Sequence, residues 1–170
     1  MFDPAHGGSV LGIDPGVSRC GYGVVTRDGG RLVARAYGVL RTSAHDPLPE
    51  RLVELADELD RLVDEFRPSA LVVERVLFQT NARTAMSVGQ ASGLALVAGA
   101  RASVPVAQYS PNEVKLSVTG DGRADKAAVQ TMVARLLGLR DIPKPPDAAD
   151  ALALACCHLG RARLQERINA

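Results

Sequence analysis

The chain has 170 residues, with 20 Lys and Arg against 19 Asp and Glu, and three cysteines. This length fits one domain over residues 1–170, with a core that needs no disulfide or metal to fold. No apolar run reaches the roughly 18 residues of a membrane span, and the first ten residues do not form a secretion signal. An odd number of cysteines, two of them adjacent, favours reduced thiols in a cytoplasm. We expect residues 1–8 to be a flexible extension and 165–170 a disordered tail.

The near-neutral net charge of +1 hides two opposed segments. Residues 50–66 hold seven acids and two bases, whereas residues 67–140 hold nine bases and four acids. The acidic segment is typical of the solvated face of a surface helix. The basic segment is either scattered surface charge or one face that binds phosphates, a role that suits arginine because its guanidinium binds phosphate through two hydrogen bonds.

Three strands are predicted first, over residues 9–13, 20–26 and 31–41. The turn signals between them are Asp14-Pro15-Gly16 and Asp28-Gly29-Gly30, and turns this short imply an antiparallel meander.

The rest of the chain alternates helices with strands. Apolar residues at three- and four-residue spacing predict a helix over 47–66, and Ser110 to Glu113 form a capping box that starts another. Further helices are predicted over 81–102, 125–137 and 147–164, and further strands over 70–73 and 104–109. This order predicts an α/β fold whose five-stranded mixed sheet has three antiparallel and then two parallel strands, flanked by helices.

Four acids stand where surface acids are not expected. Asp14 and Glu74 each end an apolar strand, and Asp147 and Asp150 open the last, strongly apolar helix three residues apart, hence on one face. Each has an ordinary explanation when taken alone. Asp14 can shape its turn, Asp147 can cap the helix with Asp150 favoured by the helix dipole, and Glu74 can pair with an arginine.

Taken together, the four acids predict a metal site. If the strands that end at Asp14 and Glu74 are neighbours, the helix start can lie over their shared edge. Converging carboxylates repel one another unless hard divalent cations such as Mg²⁺ or Mn²⁺ neutralise them. Two such ions about 3.5–4 Å apart can activate a water and stabilise the leaving oxygen of a phosphodiester.

Several short motifs share an order with a known family: Leu-Gly-Ile-Asp14-Pro-Gly, Gly21-Tyr-Gly-Val, Val-Val-Glu74-Arg-Val, Gly89-Gln90-Ala91 and Asp147-Ala-Ala-Asp150-Ala-Leu-Ala. The sequence strongly resembles the bacterial RuvC family of Holliday-junction resolvases over nearly its whole length. The resemblance implies a ribonuclease H-like fold, which agrees with the predicted order of strands and helices.

The resemblance also implies an activity. It implies a cytoplasmic homodimer that resolves four-way DNA junctions in recombination and repair, by paired symmetric nicks that leave 5′-phosphate and 3′-hydroxyl ends. The matched catalytic and metal-binding acids are Asp14, Glu74, Asp147 and Asp150. We expect two Mg²⁺ ions per site, with Mn²⁺ able to substitute, and the branch-migration proteins RuvA and RuvB as partners.

Two lysines match family lysines that support DNA binding or catalysis. They are Lys115 in Asn-Glu-Val-Lys and Lys126 in Ala-Asp-Lys. Lys126 also follows a glycine-containing loop at a helix start, where backbone N–H groups can bind a phosphate. From the basic segment we add Arg83 and Arg123 as expected DNA-binding residues.

One departure concerns an aromatic residue. Family members often carry an aromatic three residues after the matched glutamate, where this chain has Leu77, followed by Phe78. Phe78 either stacks on bases near the crossover or belongs to the core. The helix over 81–102 is apolar or small-sided nearly all round, which fits burial against the sheet and a twin subunit, or a monomer core alone.

Three other functions compete with this interpretation. The segment from Asp14 to Gly21 resembles the phosphate loop of actin-like and sugar-kinase-like proteins, although those need two such domains. A non-catalytic DNA-junction binder would not require four intact acids. Another nuclease of this fold, acting on hybrids or plain duplexes, is disfavoured by Asp147-Ala-Ala-Asp150 and by the Lys126 segment.

Overall fold

The computed structural model describes residues 8–75 and 81–169. The strands are β1 (Val10–Asp14), β2 (Arg19–Asp28), β3 (Arg31–Arg41), β4 (Ala70–Glu74) and β5 (Val106–Tyr109). The helices are α1 (Leu48–Phe66), α2 (Ala82–Arg101), α3 (Pro111–Thr119), α4 (Lys126–Leu136) and α5 (Pro146–Asn169). The extension expected at residues 1–8 lies, apart from Gly8, outside the described residues, as do Leu77 and Phe78.

The five strands form one sheet in the order β3-β2-β1-β4-β5. Strands β1, β2 and β3 pair antiparallel, whereas β1 pairs with β4 and β4 with β5 in parallel. The predicted α/β fold with three antiparallel and two parallel strands is therefore confirmed. Each parallel connection is made through a helix, α1 before β4 and α2 before β5.

The start of β5 and the end of α5 differ from the predicted boundaries by two and five residues. Strand β5 begins at Val106 rather than at residue 104, because the N–H of Val104 donates to the carbonyl of Gly99 and Pro105 has no N–H to give. Helix α5 continues to Asn169, through most of the segment expected to be a tail. The residues after Gly160 are mainly good helix formers, which favours this continuation.

Two apolar layers cover the two faces of the sheet. One contains Leu11, Ile13 and Val73 and packs against α1 and α2, while the other contains Val10 and Val72 and packs against α3, α4 and α5. The alternation of side chains along β1 and β4 places neighbouring residues in opposite layers. In α1 the buried residues are Leu55, Leu59, Leu62 and Val63, and the acids of the helix point to solvent or its boundary, as predicted.

Helix α5 crosses the sheet and carries a long buried stretch, residues 148–157 apart from Asp150. Within the described ranges, no helix is long and apolar enough to cross a membrane. Close contact between α5 and the sheet depends on glycines, because a Cβ on Gly12 would overlap the backbone carbonyl of Ala151. This contact fixes where the beginning of α5 lies relative to the ends of β1 and β4.

Candidate active site

Asp14 and Glu74 lie side by side at one edge of the sheet. Ile13 of β1 pairs with Val73 of β4 in parallel register, so the next residue of each strand is one of the two acids. Both carboxylates follow fully buried strand residues and are themselves only half-buried. The edge predicted from the apolar strands is confirmed.

The beginning of α5 adds Asp147 and Asp150 to this edge. Asp14 pairs with Gly21 across β1 and β2, and a Cβ on Gly21 would overlap the backbone carbonyl oxygen of Asp147. A glycine is therefore required here for α5 to approach the strand. Because Asp147 and Asp150 are one helical turn apart, both side chains lie on the same side of the helix.

The electrostatics show that the four carboxylates act on one another. The pKa of Asp14 is raised to about 8, mainly by burial and also by the negative charges of Glu74, Asp150 and Asp147, while Lys126 opposes the rise. The pKa of Glu74 is also raised, by burial first and by Asp150 second. Such shifts indicate buried carboxylates close to other negative charges, an arrangement that is common at functional sites.

Two cations partly neutralise the site. The Nε of Arg19 donates to Oδ2 of Asp147 at 2.9 Å, and the Nζ of Lys126 donates to Oδ2 of Asp150 at 2.7 Å. The hydrogen bond to Asp150 is the main reason that the pKa of Lys126 is raised. Each aspartate of α5 therefore has a basic partner, whereas Asp14 and Glu74 have no ion-pair partner among the residues that the structure describes.

The donor set fits hard divalent cations. Four carboxylates supply only oxygen ligands, which Mg²⁺ and Mn²⁺ prefer. Among residues 8–75 and 81–169, no three acidic, histidine or cysteine groups already lie close enough together to hold an ion. Asp147 and Asp150 are instead each paired with a basic side chain, Arg19 and Lys126 respectively.

A cleft of about 230 Å³ opens beside these carboxylates. Glu74, Asp150, Lys126 and Lys115 all line it, so the structure brings both predicted lysines to the site. Lys115 is carried by α3, whose start is fixed by the predicted capping box between Ser110 and Glu113.

The other predicted DNA-binding residues lie apart from the carboxylates. Arg83 is exposed in the first turn of α2, where its N–H donates to the side chain of Asn81. The Arg123 side chain is 96% exposed and lies 4.0 Å from Asp121. Phe78 falls outside the described residues.

Arg19 was not identified from the sequence. It and Asp147 are 128 positions apart, and no local motif links them. Only the packing of α5 against β2 brings them together. Its one sequence signal is its place at the start of a strand, five residues after Asp14.

Comparison with known proteins gives consistent results. The family model described as crossover junction endodeoxyribonuclease RuvC matches residues 10–158. A crossover junction endodeoxyribonuclease RuvC of Salinispora arenicola is 54% identical over 162 residues, covering 95% of this chain and 93% of the relative. One of Desulfitobacterium hafniense is 48% identical over 160 residues, covering 94% and 97%. The Thermus thermophilus RuvC structure in complex with a Holliday junction substrate is 38% identical, with a TM-score of 0.87, covering 93% and 96%.

Proposed function

This chain belongs to the RuvC family of crossover junction endodeoxyribonucleases, and on that premise we propose how its own residues carry out the reaction. It is a hydrolase that resolves four-way DNA junctions in recombination and repair. We propose that it does so by paired symmetric nicks that leave 5′-phosphate and 3′-hydroxyl ends. The observation that supports the assignment of the site is the placement of Asp14, Glu74 and the start of α5 at one edge of the sheet. There, burial first and the neighbouring carboxylates second raise the pKa of Asp14 to about 8.

The catalytic and metal-binding residues of this proposal are Asp14, Glu74, Asp147 and Asp150. Family membership implies dependence on divalent metal, and four oxygen donors at one sheet edge support two Mg²⁺ ions, with Mn²⁺ able to replace them. When bound, these ions supply a water activated for attack on the phosphorus and stabilise charge on the leaving 3′-oxygen.

The basic residues of the site hold DNA. In the structure Lys126 is bound to Asp150 and Arg19 to Asp147. If Asp147 and Asp150 held divalent cations, the basic side chains of Arg19 and Lys126 would be available to bind a phosphate at the same site. Lys115 lines the same cleft and provides a second ammonium for a phosphate bound beside the carboxylates.

The outer basic residues extend the DNA surface. Arg83 and Arg123 are exposed and can contact backbone phosphates farther from the cut, which contributes affinity without base specificity. The stacking role of Phe78 stays a prediction, since this residue lies outside the described part of the chain.

The proposed enzyme is a single-domain homodimer joined through α2. The inner side of α2 buries Ala91, Ala95 and Ala98, whereas its outer side exposes Met86 and Val97, at 65% and 45%. A two-fold pair suits a junction that is itself close to two-fold symmetric, because it supplies two sites for two cuts. Sedimentation should show a dimer for the unchanged chain and a monomer for Met86→Glu.

Further partners follow from membership in the family. We expect RuvA and RuvB to deliver the branch-migrating junction to this enzyme, and we expect the reaction to take place on cytoplasmic DNA. Coupled assays with purified RuvA and RuvB on a mobile junction test this expectation, because joint action requires that both proteins and ATP-driven migration change the rate or the position of cleavage.

The alternatives are not favoured. A match to the family model over residues 10–158 leaves no reason to assign the Asp14 to Gly21 segment to an actin-like nucleotide site. The relatives named above are endonucleases, which disfavours a binder that lacks catalysis.

The test uses a synthetic four-way junction labelled on each strand in turn. With Mg²⁺ or Mn²⁺, the protein should nick two strands of like polarity at symmetry-related positions, and a ligase should seal the products. Asp14→Asn, which keeps the shape of the side chain and removes its charge, should bind the junction but not cut it. Cleavage in EDTA, cleavage by Asp14→Asn at the normal rate, or an absence of paired nicks would each contradict the proposal.

A further inference from the structure

The carboxylate of Glu113 contacts residues from three segments of the chain, each of which also carries residues of the proposed site. Its Oε2 accepts a hydrogen bond from the N–H of Ser110 at 2.8 Å and lies 3.7 Å from Nη1 of Arg75. Its Oε1 lies 3.2 Å from Nη1 of Arg161. We call these four residues the Glu113 cluster. They come from the start of α3, the end of β4 and the middle of α5.

Arg75 ties the cluster to the end of β4. It directly follows Glu74, and its N–H donates to the carbonyl oxygen of Tyr109 at 2.8 Å. Its Nη2 donates to the carbonyl oxygen of Gln108 at 3.1 Å, and its Nη1 faces Glu113. The Arg75 side chain therefore links Glu113 to the backbone of β5 directly beside the residue that follows Glu74.

Arg161 ties the cluster to α5. Its guanidinium carbon lies 5.0 Å from the centre of the Tyr109 ring, over its face. The Tyr109 hydroxyl shares a hydrogen bond of 2.9 Å with Nδ1 of His158, one turn earlier in the same helix. The helix that begins with two site aspartates is thus held to β5 and to Glu113 by adjacent contacts.

Exposure indicates what these contacts contribute. The side chains of Arg75, Arg161 and Glu113 are 53%, 48% and 34% exposed. Ion pairs this exposed contribute little to the stability of a fold, because water already solvates both partners. Contacts that link α3, the end of β4 and α5 can nevertheless fix the positions of these three segments relative to one another. The pKa of Glu113 is lowered mainly by the hydrogen bond from the Ser110 backbone, and also by Arg161 and Arg75, so the carboxylate stays ionised.

We propose that Glu113 is a positioning residue for junction cleavage, whose ionised carboxylate holds Arg75 and thereby the end of β4 that carries Glu74. The Glu113 side chain also caps α3, the helix that carries Lys115. This one carboxylate therefore sets the position of β4 relative to α3, and both elements line the cleft. This inference rests on the proposed function of that cleft. Glu113 itself touches neither DNA nor metal in this account.

The test separates the charge of Glu113 from its role as a cap. Glu113→Gln keeps the capping box, because either glutamate or glutamine can accept the hydrogen bond from the N-cap residue. It removes the negative charge that faces Arg75 and Arg161. We expect the Mg²⁺ concentration for half-maximal single-turnover cleavage to rise about tenfold, as for other residues that orient metal ligands. Saturating Mg²⁺ should restore most of the rate. Junction affinity and thermal midpoint should stay close to those of the unchanged chain.

The ion pair between Asp60 and Arg101 provides a matched control. It is also 3.7 Å long and exposed, but it joins α1 to α2 on the other side of the sheet. Asp60→Asn should leave the Mg²⁺ dependence unchanged. Arg75→Gln should raise the Mg²⁺ requirement as Glu113→Gln does. The double variant should need no more Mg²⁺ than the more affected single variant, since both substitutions remove the same contact between Arg75 and Glu113.

Three results would overturn the inference: a normal Mg²⁺ requirement in Glu113→Gln, a loss of rate that only follows a loss of thermal stability, or additive effects in the double variant. Failure of the proposed function looks different. If the proposed function is wrong, the unchanged chain itself makes no paired nicks. If only the role of Glu113 is wrong, the unchanged chain cuts normally and the Glu113 and Arg75 variants give the unexpected results.

Discussion

Three elements reach both ends of the sheet, but the two ends differ in the charge of the side chains that they present. One end, the carboxylate end, holds the four site acids and the 230 Å³ cleft beside them. At the other end, a groove of about 710 Å³ is lined by Arg27, Arg31, Arg135 and Arg163, and no acid of the described residues lines it. Elements β2, α4 and α5 reach both ends.

The larger groove is not the better candidate for the reaction. Its arginines are solvated, and Arg27 satisfies the carbonyl oxygen of Leu159 at 2.9 Å. At the carboxylate end, by contrast, burial and mutual repulsion raise the pKa values of Asp14 and Glu74. Groups held in an unfavourable electrostatic state mark a reactive site more reliably than the volume of a groove does. Variants at the two ends can test this difference.

The largest expected effect follows from crowding at the carboxylate end. Gly21→Ala places a methyl group against the backbone carbonyl of Asp147, so α5 has to shift and the aspartates move with it. We expect junction cleavage to be lost together with part of the thermal stability.

Gly160→Ala is the matched substitution on the same helix, near the far end. The nearest atom to its new methyl group, the Ser117 hydroxyl oxygen, would be 3.7 Å away, an ordinary contact. Cleavage should stay normal, and stability should rise by up to about 1 kcal/mol because alanine favours the helix. Equal losses of cleavage in the two variants would remove the distinction between the ends.

An intermediate effect is expected from removing a basic residue at each end. Lys126→Gln should weaken junction binding and reduce the slope of log affinity against log salt concentration by about 1, as for loss of one phosphate contact. Arg135→Gln, in the far groove, should change neither. Fluorescence anisotropy over a series of salt concentrations measures both slopes. A reduced slope only in Arg135→Gln would place the DNA at the wrong end of the molecule.

The smallest expected effect is on stability in the absence of metal. Because the folded protein holds a proton on Asp14 more tightly than the unfolded chain does, protonation stabilises the fold at low pH. This contribution is lost as the pH rises from the usual aspartate range through about 8. In EDTA, the thermal midpoint of Asp14→Asn relative to the unchanged chain should therefore rise between pH 5 and pH 8 and then level off.

The size of that rise is about 2–4 °C for each kcal/mol of relieved repulsion in a chain of this length. Differential scanning at several pH values measures it. A constant difference between the two proteins across this pH range would show that Asp14 is not held in an electrostatically unfavourable position.

Much of the carboxylate end could be predicted because it depends on local patterns. Short apolar strands that end in an acid indicated Asp14 and Glu74, and parallel pairing of β1 with β4 brings their ends together. Strand β5 was predicted two residues too long, because apolar character does not show that the Val104 N–H turns back to Gly99.

The contacts that hold the site could not be predicted, because they join residues far apart in the chain. Arg19 meets Asp147 over 128 positions, and Arg161 meets Glu113 over 48. Glu113 was recognised only as part of a capping box, since a sequence pattern reveals the partner three residues away and not those that packing supplies. Such pairs depend on how α5 crosses the sheet, which is a property of the whole fold.

We expect the carboxylate end of the sheet to hold the divalent ions that cleavage requires. Anomalous diffraction from crystals of the protein with a four-way junction and Mn²⁺ locates those ions. Anomalous peaks should appear among Asp14, Glu74, Asp147 and Asp150, and they should disappear or weaken strongly in Asp14→Asn. Peaks confined to other parts of the protein, or unchanged peaks in the variant, would contradict this expectation.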